Sequence, residues 1–193
     1  MITVSKGASG SQKMPNTQIA TFLNDRLIIF IRSWNGPEVA QKIIDEVNHY
    51  MSSVEADLEV TSPFGYSENL TMLANKVKIA MLLANDNIYN TDNKEAYQHG
   101  AEVAIIFQKD SEISWASVGR FSLEAQKEDR KLKLFDSGGR FDDVVLLPVN
   151  LIGIIRNPEI LAGSISTKKL QQIEIKSVFG QYESVWECQI SDF

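Results

Sequence analysis

Hydrophobic and polar residues follow first the period of β-strands and then the period of helices. The runs TQIATFL and RLIIFI, rich in Ile, Leu and Phe and separated by Asn24-Asp25, predict a β-hairpin. Gly36-Pro37 then begins a helix, because proline suits the first helical turn and Glu38 lies near the positive end of the helix dipole. Apolar residues recur at helical spacing and predict a helix over about 36–54. They are Val39, Ile43, Val47, Met51 and Val54.

A second apolar stripe predicts a second helix over about 67–90, with Ser67 as its N-cap. The stripe consists of Leu70, Leu73, Val77, Met81, Ala84 and Ile88. Each stripe is amphipathic and needs a sheet or the other helix to bury it. We therefore expect the two helices to pack side by side on one antiparallel sheet.

After Asp92-Asn93 the period becomes strand-like. Four short runs, AEVAIIF, EISWASV, SLEAQK and KLKLF, follow with connections too short for crossover helices, so we expect a meander of antiparallel strands. The run VVLLP, residues 144–148, then resumes extended structure, and QIEIKSV and SVWECQI predict two more strands. The strands between 101 and 135 are expected to supply much of the helix-covered sheet. The order of a strand pair, a helix pair and a strand meander predicts an α+β fold. The length of 193 residues favours a single domain over 1–193.

The charge balance narrows the range of partners. Nineteen basic and 25 acidic side chains give 19 − 25 = −6, which argues against nucleic acid and against an anionic membrane. The longest uncharged apolar run, residues 144–155, contains Pro148 and Asn150 and is shorter than the roughly 20 residues of a membrane helix. No secretory signal is visible, and the single cysteine, Cys188, is typical of a reducing compartment. These features predict a cytoplasmic protein.

Side chains that could carry chemistry are scattered along the chain. Neither His49 nor His99 has a partner at metal-ligand spacing, and Cys188 has no basic neighbour to lower its pKa. The glycines of DSGGR, residues 136–140, lack the spacing of a phosphate-binding loop and predict a turn instead. Asp142-Asp143 would point to opposite faces of a strand. No catalytic residue is predicted from these patterns.

Five strings, taken in order along the chain, resemble the protein phosphatase type 2C family, especially its short bacterial members. The opening GASGSQKMPNTQIATF is similar to that family's start, and RLIIFIRSWNGPEVAQKI to its strand, Asp-Gly loop and helix. AEVAIIFQKDSEISWASVGRFSLEAQKEDRKLKLF resembles the stretch around its Val-Gly-Asp-Ser-Arg turn. GRFDDVVLLP and the final WECQISDF are similar to two later segments. The resemblance implies a layered αββα-type sandwich of antiparallel sheets flanked by helices, here shortened at its C-terminus.

In the family, aspartates hold two magnesium or manganese ions that activate water for attack on a phosphoserine or phosphothreonine. By position, the resemblance puts Gln18, Ser33 and Arg120 where three of these aspartates stand, and only Asp192 matches. Two neutral side chains and one cation do not offset the repulsion of two cations. We therefore expect no metal and no other cofactor.

The leading hypothesis is a catalytically inactive phosphatase-like domain that binds a protein, such as a phosphoprotein or a kinase. One alternative is an active metal-dependent serine/threonine phosphatase with the unorthodox ligands Asp136, Asp142, Asp143 and Asp192. The other is an unrelated αββα hydrolase of the N-terminal-nucleophile type. Its nucleophile would be one of Thr3, Ser5 or Thr17.

Two further expectations concern surfaces and charge. Uncovered sheet edges predict self-association or an obligate protein partner. Arg120 has two possible placements: it extends into solvent from the turn after Gly119, or its guanidinium takes the cation's place and pairs with Asp192 or another carboxylate.

Overall fold

The computed structural model describes residues 2–6, 16–34, 36–96, 98–137, 150–177 and 186–191, with the backbone alone at 3–6, 16 and 186–188. Two compact units interleave along the chain. The helix–sheet unit comprises Pro15–Val118 and Val149–Ser166, and the all-strand unit comprises Met1–Met14, Gly119–Pro148 and Thr167–Phe193. That the two units form one domain stays a prediction.

The helix–sheet unit contains two helices and a five-stranded antiparallel sheet in the order β2-β3-β4-β5-β8. Its connections include short turns at residues 23–26 and 110–111, which explains the antiparallel pairing. The elements are β2 (Asn16–Phe22), β3 (Leu27–Trp34), α1 (Pro37–Ala56), α2 (Met72–Asn90), β4 (Gly100–Lys109), β5 (Glu112–Val118) and β8 (Leu161–Ser166).

The core of this unit lies between the two helices and one face of the sheet. Leu27, Ile29 and Ile31 of β3 project to that face because alternate residues of a strand point the same way. The predicted stripe of α1 is buried against them, as are the five helical residues of the α2 stripe. Burial of each large apolar side chain contributes roughly 1.5–3 kcal/mol, so the stripes fix both helices on the sheet.

Helix α2 begins five residues later than the sequence predicts. Its N-cap is Thr71, whose hydroxyl accepts a hydrogen bond from the Ala74 amide, and Ser67 is not the cap. The preceding turn is instead held by Asn75, whose side-chain amide donates to the carbonyls of Ser67, Leu70 and Thr71. The predicted start is wrong because Asn75 offers these residues a turn in place of helical hydrogen bonds.

The all-strand unit is a second antiparallel sheet in the order β1-β10-β9-β6-β7. Its strands are β1 (Ile2–Lys6), β6 (Phe121–Lys127), β7 (Arg130–Asp136), β9 (Leu170–Ser177) and β10 (Trp186–Ser191). The strands between 101 and 135, which were expected to supply much of the helix-covered sheet, therefore divide between the two sheets: β4 and β5 belong to that sheet, and β6 and β7 to the second one. The chain leaves that sheet at Gly119, whose φ of 102° is a conformation that glycine adopts without strain.

Two strands went unpredicted, β1 and β8, because the segments ITVSK and LAGSIS are short and carry few apolar side chains. The predicted extended run at 144–148 lies outside the described residues. The predicted α+β architecture, with two antiparallel sheets and two helices, is confirmed. Neither of the described helices is long and apolar enough to cross a membrane.

Candidate functional site

A buried ion pair links the two central strands β3 and β4 of the helix–sheet unit. Arg32 and Glu102 are register partners, and the guanidinium Nη2 donates to the carboxylate Oε2. The Arg32 side chain is 1% exposed and that of Glu102 is 0% exposed. Because Leu27, Ile29 and Ile31 face the helices, Arg32 lies on the opposite face of the sheet. Two charges taken out of water are costly unless they are paired, so each partner depends on the other.

Gln18 and Ser33 lie on neighbouring strands and on the helix-facing side of the sheet. Gln18 is the register partner of Ile31, and Ser33 stands two residues further along β3. Gln18 is half-buried, and the buried Ser33 hydroxyl donates to the Gly36 carbonyl over 3.2 Å. The structure therefore brings an amide and a hydroxyl to one face, and neither can supply the negative charge of an aspartate.

Arg120 lies in the bend at 119–120, where the chain leaves β5 and continues into the all-strand unit. Ser137 fixes this bend, because its hydroxyl donates to the Gly119 carbonyl over 2.6 Å and accepts from the Phe121 amide over 3.0 Å. The Arg120 side chain is buried, with the residue 8% exposed. The placement in which it extends into solvent is therefore wrong. A permanently charged guanidinium lies inside the protein at this position.

Most of the remaining predicted site residues are either exposed or outside the described residues. Asp136 is exposed at the end of β7, where Lys133 pairs with it. Asp142, Asp143 and Asp192 lie outside the described residues, as do the side chains of Thr3, Ser5 and Cys188. Thr17 is half-buried on β2, and His49 is exposed on α1.

A polar groove on the all-strand unit brings together two carboxylates that the sequence analysis did not select. Glu124 and Glu174 are register partners on β6 and β9 and line a cavity of about 290 Å³. The Lys131 Nζ lies 2.7 Å from the Glu124 Oε2, and the Lys176 Nζ lies 2.8 Å from the Glu174 Oε2. Each carboxylate therefore has a lysine as its counter-charge. The hydrogen bond from Lys131 to Glu124 raises the pKa of this lysine. These carboxylates are therefore already neutralised by lysines.

The described residues do not fit a two-metal centre of the kind that the family resemblance implies. Gln18 and Ser33 offer only neutral oxygens and Arg120 offers a cation, whereas two neighbouring divalent ions need negatively charged ligands to offset their mutual repulsion. Within the ranges that the structure describes, no three His, Cys, Asp or Glu side chains are grouped so that they could hold a metal ion.

Arg32 and Glu102 were not predicted as site residues from the sequence. A signal was present, because each is a charged residue inside an otherwise apolar strand, in LIIFIR and in AEVAIIF. Seventy positions separate them, and their register is set by the pairing of β3 with β4. Only that pairing identifies them as partners.

Neither a protein-family model nor a curated protein sequence matches this chain. Solved structures do match. PppA, a key regulatory component of T6SS in Pseudomonas aeruginosa, is 8% identical with a TM-score of 0.66, over 100% of this chain and 97% of that one. The catalytic domain of the serine threonine protein phosphatase PstP, in complex with two manganese ions, is 11% identical with a TM-score of 0.61. That similarity covers 100% of this chain and 97% of the PstP chain.

A C. elegans sex determining protein is also similar, at 10% identity and a TM-score of 0.67, over 99% of this chain and 64% of that one. Identities this low show the shared fold. They do not favour either of the alternative hydrolase hypotheses.

The expectation that no cofactor is used is contradicted by one of these structures. The PstP catalytic domain has the same fold and is in complex with two manganese ions. The fold is therefore compatible with a bound metal pair, and the loss of aspartates at individual positions was not sufficient ground for a cofactor-free protein. The similarity over almost the whole of the PppA chain and of the PstP catalytic domain confirms the predicted resemblance at the level of the fold. This chain has the fold of the bacterial phosphatase 2C-type serine/threonine phosphatases.

Proposed function

We propose that this chain is a catalytically inactive phosphatase-like domain that acts by binding a protein. The observation that carries the proposal is the buried side chain of Arg120, which follows Gly119 where the family resemblance puts a metal-binding aspartate. A cation at this position repels divalent ions and does not accept a proton from water at neutral pH. It therefore disfavours the metal-assisted attack of water on a phosphoester.

The other two described positions add to this argument. Gln18 and Ser33 are neutral and lie on the helix-facing side of their sheet. Glu102 is the only carboxylate residue on strands β3 and β4, and its side chain forms an ion pair with Arg32 on the opposite face of the sheet. An engaged carboxylate is not available as a general base.

A regulatory role through a protein partner is supported by what is known of similar structures. PppA is a key regulatory component of T6SS, and the C. elegans protein of similar fold is a sex determining protein. We propose a phosphoprotein or a kinase as the partner of this chain. The single cysteine supports an encounter in the reducing cytoplasm.

The test is hydrolysis of p-nitrophenyl phosphate by the full chain, with and without added manganese. The PstP catalytic domain in the same buffer is the positive control, and it shows that the metal and substrate concentrations support turnover. We expect the full chain to match the rate of the buffer blank in both conditions. Hydrolysis that saturates with substrate and rises in proportion to protein concentration would show that the proposal is wrong.

A further inference from the structure

Among the described residues, the sheet of the helix–sheet unit ends in two edge strands, β2 and β8, that carry little protection against pairing with another chain. Among the described strands, β2 pairs with β3 alone and β8 pairs with β5 alone. The outward backbone groups of an edge strand are a template for further pairing, and monomeric proteins usually block them with lysines, prolines or bulges.

Strand β2 has none of these devices. Its sequence, NTQIATF, contains no charged residue and no proline, and its register with β3 runs from Asn16 to Phe22 without a bulge. The edge strand β7 of the all-strand unit is different. It carries Arg130, Lys131 and Lys133, and its pairing with β6 shifts register.

The sequence of β2 is also complementary to itself. In an antiparallel pair with a twofold axis at Ile19, Thr17 of one copy lies opposite Thr21 of the other, and Ile19 lies opposite Ile19. Threonine pairs and β-branched pairs are favourable across antiparallel strands, and no like charges meet. Thr21 is exposed, while Thr17 and Ile19 are half-buried, so part of each side chain is accessible.

We propose that β2 pairs with β2 of a second copy of this chain. The two sheets of five strands then join into one antiparallel sheet of ten across a twofold axis. A β2–β8 contact between copies would repeat from copy to copy and form a ring or an open filament, whereas a twofold contact closes after two copies. The interior glycine Gly163 also makes β8 the weaker edge. This inference does not depend on catalytic inactivity, because an active phosphatase could associate in the same way.

The test is the mass of the full chain by sedimentation at rising protein concentration. We expect the wild-type mass to rise from 21.6 kDa towards twice that value. T17K/T21K should stay monomeric, because each added lysine faces a lysine of the other copy. T17E/T21K should restore the dimer, because each glutamate then faces a lysine. The matched control is S166K on β8, which should associate like the wild type.

Hydrogen exchange of the wild-type protein tests the proposal without any substitution, so the test does not depend on whether a variant folds. Hydrogen exchange of wild-type amides in 16–22 should slow as the protein concentration rises, while exchange in 161–166 should not change. A wild-type chain that is monomeric at every concentration contradicts the proposal. So does loss of the dimer in S166K, or equal masses for T17K/T21K and T17E/T21K.

Discussion

The buried pair of Arg32 and Glu102 should be the most sensitive point of the helix–sheet unit. Replacement of one partner leaves the other as an uncompensated charge, and both side chains are almost fully buried. Such a loss costs about 3–5 kcal/mol. For a protein of this size, each kcal/mol shifts the melting temperature by about 2–4 °C, so R32M or E102L should lower it by roughly 6–20 °C.

The double variant R32M/E102L should recover most of that loss, because two apolar side chains pack without the desolvation cost. Urea unfolding of the wild type, both single variants and the double variant gives the coupling energy. The exposed pair Lys169–Glu128 is the matched control, and K169M should cost no more than about 1 kcal/mol. If the single variants cost as little as K169M, or if their effects simply add in the double variant, the pair does not stabilise the sheet as we describe.

Three further predictions concern individual side chains. R120A should lower the melting temperature by several times the shift seen with K169M, because Arg120 is buried; equal shifts in a thermal scan would place it at the surface. Burial, and next the nearby Tyr66, raise the pKa of Tyr50 to about 12. An unfolded tyrosine ionises near pH 10, so this group's contribution to stability is lost as pH rises from about 10 through 12, and in pH-dependent urea unfolding Y50F should lack that loss. N75A should cost about 1–3 kcal/mol and speed hydrogen exchange in the turn at 67–71, while α2 itself stays protected; unchanged exchange at 67–71 would contradict the anchoring role of Asn75.

Both helices were predictable because their signal is local. The stripe from Val39 to Val54 repeats every three or four residues, and the structure buries all five of its residues. The start of α2 was not predictable from that period. It depends on whether Ser67 or Thr71 caps the helix, and the contacts of Asn75 with the preceding turn decide this.

The division of strands between two sheets depends on distant pairing. Strand β6 follows β5 after two residues, yet it pairs with β9, some fifty positions later. The only local trace of this change is Gly119 and its positive φ. The Arg32–Glu102 pair was missed for a similar reason, because the two charges meet only once β3 and β4 are in register.

The central claim, a phosphatase fold without phosphatase activity, is tested most directly by phosphate release from a phosphoserine peptide. The release should be followed at increasing manganese concentrations, with the full chain and with D192N. Our account predicts release no faster than in the buffer blank at every manganese concentration, for both proteins. Release by the wild type that depends on manganese, scales with protein concentration and is lost in D192N would contradict it.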